Sequence, residues 1–502
     1  MLTKVFVFLF LIIYFTLNTI IGIYLISWSY TISIIFFVLL SLANIEVSFS
    51  LTELIFALAL KKRDLPILNE LNHQPSVALL YVTCNDFMPE LVKKLSRQTY
   101  KKCDVFILDD SDNEEIQQEV DKCQFNIIRR NSRNGNKAGN LNNWLKLFGN
   151  KYKYFLVMDS DSILPADFLE KMLRYAEHPD NKRVALFQSK LKIWNLKNAF
   201  PKLMASCIPI QISIWERILT RANMIPLGNN CLYRTESIIR ISGFPEEFTA
   251  EDLATGIELI ENGYQCKLVD VVSYETIPES LNSYSRRNIR WATQTLEVVL
   301  RREGNVPFLT KLYILSFVYK SLIWFNILAL MLLAVWSYNS SFADLAYLIN
   351  VTASGAIIDT PLFRPLLILS LYWSYFLFSR TPLIIRSKIS CFRFYKYLVL
   401  NLAVELYNVF PLLFAIIKTF LGEKVRFTVT DKRNVQTSFP KIAREMNLSL
   451  FFIGFLSIGI IRNPVSLLLN FIWFVPYVFS PLILYKTQRG SANLNQRINY
   501  EK

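Results

Sequence analysis

Apolar and polar positions divide the chain into blocks of two kinds. Val5 to Leu25 is an uncharged apolar run, long enough to cross about 30 Å of hydrocarbon. It is too long for a signal-peptide core and no small-residue cleavage site comes after it, so it predicts a span. A second apolar run extends from Thr31 towards Leu60, interrupted by Glu46 and Glu53 and closed by Lys61-Lys62-Arg63. The two acids suit either a pathway lining or a helix end packed on protein. The basic flank places the next stretch of chain on the cytoplasmic side. From about Asp64 to Gly304 the pattern shortens. Apolar runs at Val77 to Val82, Val105 to Leu108, Tyr154 to Met158 and Val184 to Phe187 alternate with helical stretches at Glu90 to Arg97, Glu114 to Lys122 and Asp167 to Ala176. That rhythm predicts a mostly parallel sheet covered by helices.

Long apolar segments return at Tyr313 to Ser337 and Pro365 to Ile385. The loop 338–363 between them has no Lys or Arg, whereas 380–396 has five, so the first is expected outside and the second inside. Tyr397 to Leu421 carries Glu405, Asn408, Pro411 and Lys418. It is either a further span or a helix lying in the interface. A crossing here would put the basic stretch 422–441 outside, which favours the interfacial helix. Met446 to Ile461 and Ser466 to Tyr485 complete a hairpin around Arg462-Asn463-Pro464. The expected organisation is two transmembrane helices in 1–61, a cytoplasmic domain in 62–305, a transmembrane hairpin and cytoplasmic loop in 306–396, an interfacial helix and loop in 397–445, and a last hairpin with a basic tail in 446–502. Six spans result.

Composition supports lipid contact: 52% of the 502 residues are hydrophobic, with 38 Phe and 24 Tyr. The net charge of +15 would suit nucleic acid, but the cations gather at membrane edges instead of lining one folded surface, so no nucleic-acid partner is expected. Seven Cys without a CxxC pair, and only His73 and His178 beside them, argue against zinc and for reduced thiols.

Six clusters bear chemistry. The strand run ending at Met158 meets Asp159-Ser160-Asp161, two carboxylates at the carboxyl edge of a sheet, where open α/β folds bind ligands; such a pair suits a hard divalent cation. A bare Asp-x-Asp is common by chance, so its neighbours decide. Thr83-Cys84-Asn85-Asp86 and Asp109-Asp110-Ser111 end two other strand runs, as turn residues or as polar contacts to a ribose or base. In Asn136-Lys137-Ala138-Gly139-Asn140 a lysine stands at a helix start, where phosphate oxygens are met. Glu251-Asp252 opens a helical pattern, either as capping acids or as a base beside an acceptor hydroxyl. Arg287 and Arg290 share a helix face and can reach a diphosphate, with Trp291 offering a ring to a sugar; a juxtamembrane basic helix with an interfacial Trp is the plain alternative.

In order and spacing, Thr83-Cys84-Asn85-Asp86, Asp109-Asp110-Ser111, Lys137-Ala138-Gly139-Asn140, Asp159-Ser160-Asp161, Gly228-Asn229-Asn230, Glu251-Asp252 and Arg290-Trp291 resemble the membrane-integrated family 2 glycosyltransferases, the group of cellulose, hyaluronan and chitin synthases. Phe427-Thr428-Val429-Thr430-Asp431-Lys432 looks like the gating loop of cellulose synthases. The segment 251–263 is closer to glucan-synthesising members. One position departs: Arg287 stands where the family carries Gln, a variant similar to some periplasmic-glucan glucosyltransferases.

The resemblance implies an α/β GT-A domain inserted between α-helical transmembrane segments of a multi-pass cell-membrane protein. It implies inverting, processive transfer of a hexose, glucose by preference, from a UDP-sugar to a polysaccharide, as in capsule or exopolysaccharide synthesis, with secretion through the same chain. Asp252 would be the base. Thr83, Asn85, Asp109, Asp110, Lys137, Arg287 and Arg290 would bind the donor, Asp159 and Asp161 would hold Mg2+ or Mn2+, Glu251 and Trp291 would meet the acceptor, and Phe427, Val429, Thr430 and Lys432 would gate. No cyclic-nucleotide-binding domain is expected after Lys486. A non-processive enzyme acting on a membrane lipid shares every donor motif, and a transporter is a more distant alternative.

Overall fold

Tyr154 to Met158 shows why a sheet forms here and what covers it. Along a strand, side chains alternate between faces. Phe155 and Val157 pack with Trp144, while Tyr154, Leu156 and Met158 pack with Phe168, Leu169 and Met172. Both faces are dry, as a parallel sheet with helices on each side requires. The computed structural model describes residues 2–25, 30–62, 64–196, 199–205, 208–218, 223, 226–302, 308–336, 340–341, 343–344, 346–347, 350, 379, 381–386, 390–424, 437–466, 476 and 478–489.

Two long helices come first, α1 (Leu2–Leu25) and α2 (Tyr30–Ala59). The strands are β1 (Val77–Thr83), β2 (Cys103–Asp109), β3 (Asn126–Ile128), β4 (Tyr154–Asp159), β5 (Val184–Ile193), β6 (Cys231–Arg234) and β7 (Gln265–Glu275). Between them run α3 (Pro89–Val92), α4 (Glu114–Asp121), α5 (Asn136–Phe148), α6 (Phe168–Ala176), α7 (Ala199–Ala205), α8 (Ile208–Ile218), α9 (Thr235–Arg240) and α10 (Glu251–Glu261). After β7 come α11 (Leu281–Arg301), α12 (Phe308–Trp336), α13 (Thr381–Arg386), α14 (Cys391–Phe420), α15 (Phe439–Glu445), α16 (Asn447–Arg462) and α17 (Ser480–Arg489).

The sheet has seven strands in the order β3-β2-β1-β4-β6-β5-β7. β6 is antiparallel to both β4 and β5, and every other pairing is parallel. All strands but β6 therefore point one way, and their carboxyl ends share an edge. The expected mostly parallel sheet is present. The reversed β6 was not anticipated, because four residues are too few to show a period. β5 also runs past Phe187. Gln188, Ser189 and Lys190 are polar but buried, and long-range partners satisfy them: Gln188 Nε2 donates to the Asn229 carbonyl at 2.9 Å and Ser189 Oγ to the Asn230 carbonyl at 2.9 Å, while Lys190 pairs with Asp270 and Glu216.

α1 and α2 pack on each other through Phe6 and Phe49 and through Asn44 Nδ2, which donates to Asn18 Oδ1 at 3.0 Å. Their outer side chains, such as Phe8, Phe15 and Ile23, are exposed and apolar, the pattern of a lipid-facing surface. Packing continues from the α5 side of the sheet through Ile210, Ile214 and Ile218 of α8 to Phe49 and Phe56 of α2. Lys62, just past α2, bonds Asp270 of β7 at 2.6 Å.

Among the described residues three helices are long and apolar enough to cross a membrane, Lys4–Ile23, Ile34–Ala59 and Asn401–Phe420, or four if α15 and α16, bent by 74°, act as one. The part of the expected span from Tyr313 to Trp336 falls in the continuous helix α12, and Ser337 lies outside the described residues. Arg63, most of Pro365 to Ile385, most of the loop 338–363 and much of Ser466 to Tyr485 lie outside the described residues.

Candidate active site

Strand register sets the first row of the site. Thr83 pairs with Asp109 and Val82 with Asp159, so three strand ends present polar side chains at one level. Glu275 ends β7 on the same edge, paired with Ile193. A cavity of 1280 Å³ lies over this edge and is lined from β1, β4, β5, β7, α10, α11 and α14.

On the β1 side the loop is tied by its own polar groups. Asp86 accepts from Thr83 Oγ1 at 3.0 Å, Cys84 N at 2.9 Å and Ser160 Oγ at 2.6 Å, which joins the end of β1 to the Asp159-Ser160-Asp161 turn. Asn85, at φ 63°, accepts from the Asp112 and Asn113 amides at 3.1 Å each and donates to Asp112 Oδ1 at 2.6 Å. Asp110 meets Arg130 through two bonds of 2.9 and 2.6 Å, a bidentate pair that fixes the carboxylate plane. Thr83, Asn85 and Asp110 line the cavity; Asp109 does not. The Asp109 carboxylate is fully enclosed, held by Arg129 Nε at 2.8 Å and the Ser111 amide at 2.9 Å. Of the two neighbours, Asp109 is the one packed behind the loop and Asp110 the one on the cavity wall.

At the centre stands Lys137, on the first turn of α5. Its ammonium lies 2.7 Å from Asp159 Oδ1, 2.9 Å from the Gly228 carbonyl and 3.6 Å from Glu251 Oε1. Burial alone would lower its pKa, but the charges of Asp159 and Glu251 reverse that and hold it cationic. Asp161 Oδ2 accepts from the Thr276 hydroxyl and amide, and the Asp161 carbonyl accepts from Trp194 Nε1 at 3.2 Å. Glu251 and Asp252 open α10 beneath Gly228. A β-carbon on Gly228 would lie 2.4 Å from Asp252 Oδ2, so only glycine leaves room for that carboxylate. Burial, with Asp159 adding, lifts Asp252 above the usual carboxylate range. Burial pushes Glu251 up to about 7, and burial with the charges of Asp161 and Asp159 does the same for Glu275.

Facing these acids, α11 presents Arg287 and Arg290. Burial lowers the pKa of both guanidinium groups. Arg287 is sandwiched between the Tyr284 and Trp291 rings, with centroid distances of 4.9 and 4.5 Å. Its Nε is buried with no hydrogen-bond partner among the described residues, as suits a donor awaiting an anion. Trp291 is exposed and lines the same cavity. The structure thus brings Thr83, Asn85, Asp110, Lys137, Asp159, Asp161, Glu251, Asp252, Arg287, Arg290 and Trp291 to one space. Phe427, Val429, Thr430 and Lys432 lie outside the described residues.

Donor chemistry tests the fit of a divalent metal. Asp159 and Asp161 supply hard oxygen ligands, and the raised pKa values of Asp252, Glu251 and Glu275 mark a surplus of buried negative charge that a cation would relieve. Among the described residues no third His, Cys, Asp or Glu completes a protein cage. The site therefore fits an ion shared with a substrate diphosphate, the habit of Mg2+.

Three residues were not singled out by sequence reasoning. Glu275 and Thr276 come at the end of a strand whose Asp270 and Ser273 break the apolar run, so β7 shows no clean period; the carboxylate at its end was the available signal. Trp194 comes just after a segment of β5 that is polar yet buried.

A model of glycosyl transferase family group 2 matches residues 154–417, more than half of the chain. The chain belongs to that family. It is a glycosyltransferase in that sense, and β4, Asp159 and Asp161, Glu251 and Asp252, and the α11 arginines all fall inside the matched region. The chain is similar to the glucans biosynthesis glucosyltransferase H of Rhodopseudomonas palustris (strain TIE-1), 21% identical over 252 residues, covering 44% of this chain and 35% of that one. It is also similar to the protein of the same name from Salmonella typhi, 24% identical over 260 residues, covering 44% and 30%. The matches span about a third of those relatives' lengths. Among solved structures, a mannosyltransferase from Pyrobaculum calidifontis in complex with GDP-Man and Mn2+ aligns with a TM-score of 0.47 and 17% identity, over 77% of this chain and all of that one.

Proposed function

We propose that the chain transfers a hexose, glucose in the first instance, from a UDP-sugar to a growing polysaccharide with inversion, and passes the product across the membrane in which it sits, its catalytic domain facing the cytoplasm. The observation that carries this reading is the meeting of Asp252, raised in pKa and seated under Gly228, with Lys137, Arg287 and Arg290 across one cavity. The glucosyltransferase relatives favour glucose, and the apolar helices favour a membrane setting.

In this mechanism Thr83, Asn85 and Asp110 hold the uridine end of the donor. Asp159 and Asp161 hold Mg2+ or Mn2+, which when bound neutralises diphosphate charge. Asp252 accepts the proton of the acceptor hydroxyl as its oxygen bonds to C1 of the sugar. The bond from C1 to the diphosphate breaks, and Lys137, Arg287 and Arg290 meet the charge gathering on the departing UDP; being fixed and desolvated, they need no reorganisation. Trp291 and Glu251 orient the acceptor.

Purified protein given individual radiolabelled nucleotide sugars should consume UDP-glucose and yield a polymer that linkage-specific glycosidases digest. Asp252→Asn should abolish transfer while UDP still binds. Retained turnover would sink the base assignment, product confined to lipid would replace the polymer, and consumption of no nucleotide sugar would overturn the transferase reading.

A further inference from the structure

Segment 227–231, which carries Gly228 into the site, has an irregular backbone. Gly228 at φ 79° and Asn230 at φ 52° are both left-handed, a conformation that costs asparagine energy and persists only where the surroundings fix it. The Gly228 carbonyl accepts from Lys137 Nζ at 2.9 Å, and the missing side chain of Gly228 leaves the space that the Asp252 carboxylate fills. The position of this backbone therefore decides where a cation and a carboxylate of the site come to rest.

One buried amide holds it. Gln188 of β5 is fully buried. Its Oε1 accepts from the Leu227 amide at 2.9 Å and from the Cys231 thiol at 2.8 Å, and its Nε2 donates to the Asn229 carbonyl at 2.9 Å and to the Ser189 carbonyl at 3.2 Å. All four hydrogen-bonding positions of the amide are used, and three of them grip 227–231 on either side of Gly228. Ser189 adds a second hold, its Oγ donating to the Asn230 carbonyl at 2.9 Å and lying 2.7 Å from Ser273 Oγ. From the far side of the segment Asn229 Nδ2 donates to Glu275 Oε2 at 2.5 Å. Filling the core needs no amide here: Val184, Ala185, Leu186 and Phe187 just before it are buried and apolar. The amide at 188 matches the irregular backbone across from it, and a polar network satisfied in this way fixes one arrangement.

We propose that Gln188 and Ser189 are positioning residues for the transfer step: they clamp segment 227–231, and through Gly228 they set the aim of the Asp252 carboxylate. The inference rests on the transferase reading with Asp252 as its base, and adds to it two residues that act through a backbone segment. Loss of the clamp lets Gly228 relax and the carboxylate follow it, so the clamp governs the chemical step and leaves the binding of UDP to the β1 loop and the α11 arginines.

The test uses the full chain in lipid nanodiscs and the active nucleotide sugar. Gln188→Met keeps a long, adaptable side chain and removes the amide. It should lower kcat by about tenfold or more, since a misplacement of about 1 Å at a reacting group costs on the order of 100-fold and part of that suffices. UDP affinity by calorimetry should stay within about twofold of wild type, the split expected when an interaction is lost from the transition state alone. Ser189→Ala should lower kcat in the same direction by less. Gly228→Ala displaces the same carboxylate, so adding Gln188→Met to it should cost kcat no more than about a further twofold, the non-additivity of two changes acting on one group. A Gln188→Met protein that binds UDP like wild type and keeps kcat within about twofold overturns the clamp, and so does a double variant whose loss is the product of the two single losses. Should Gln188→Met fail to fold, an unchanged kcat for Ser189→Ala does the same. A wild-type chain that turns over no nucleotide sugar refutes the transferase reading itself, a different outcome from a wild-type chain that works and variants that match it.

Discussion

Gly228 gives the sharpest handle on the chemistry. Its φ of 79° lies in the left-handed region, and a β-carbon there would sit 2.4 Å from Asp252 Oδ2 and 2.9 Å from its Cγ. Gly228→Ala therefore brings two separable effects. The backbone strain costs about 1–2 kcal/mol of stability. The crowding must move the Asp252 carboxylate by about 1 Å to restore ordinary contact, and a misplacement of about 1 Å at a reacting group costs on the order of 100-fold in rate, about 2.7 kcal/mol of barrier. Gly263 supplies the control. It has nearly the same backbone angle, φ 80°, but no atom within 4 Å of a built β-carbon, so Gly263→Ala carries the strain without the crowding. Rates of UDP release during transfer, UDP affinity by calorimetry and melting temperature should be compared for both variants. Both should melt lower, and only Gly228→Ala should lose about 100-fold in kcat with UDP affinity kept. A Gly228→Ala enzyme within twofold of wild type, or a Gly263→Ala enzyme equally impaired, would refute the placement of Asp252 as the base.

The charge balance sets two further outcomes. Chelating divalent metal should weaken UDP binding to the wild type by about tenfold or more, whereas Asp161→Asn should bind UDP weakly with or without Mn2+; Asp159→Asn should behave likewise but also lose the bond from Lys137. Wild-type affinity indifferent to chelator would remove the metal from the scheme. Glu275, pushed from 4.5 to about 7 by burial and by Asp161 and Asp159, keeps its proton in the folded state over a window where the unfolded chain has released it, so its contribution to stability falls as pH rises from about 4.5 through 7. Glu275→Gln in metal-free buffer should thus gain melting temperature relative to wild type between pH 5 and pH 8. A difference that stays flat across that range would count against the buried acid.

The route from sequence to site ran through short-range signals, and it worked where those signals are local. β4 could be read because five consecutive apolar residues need two covered faces, and Asp159-Ser160-Asp161 because polar residues that halt such a run must sit at a strand end. The spacing of Arg287 and Arg290 is likewise a property of one helix. What the sequence alone determined was the set of strand ends, the acids on them and the apolar helices around them. Tertiary structure decided the rest. Asp109 and Asp110 are neighbours of identical chemistry, yet strand alternation turns one into the packing against Arg129 and the other towards the cavity, and only the position of the two arginines distinguishes them. The direction of β6 depends on the excursion through α7 and α8, which no period of four residues encodes. Periodicity reports how a segment meets its own environment, while pairing, register and helix crossing are long-range choices made by the whole core at once.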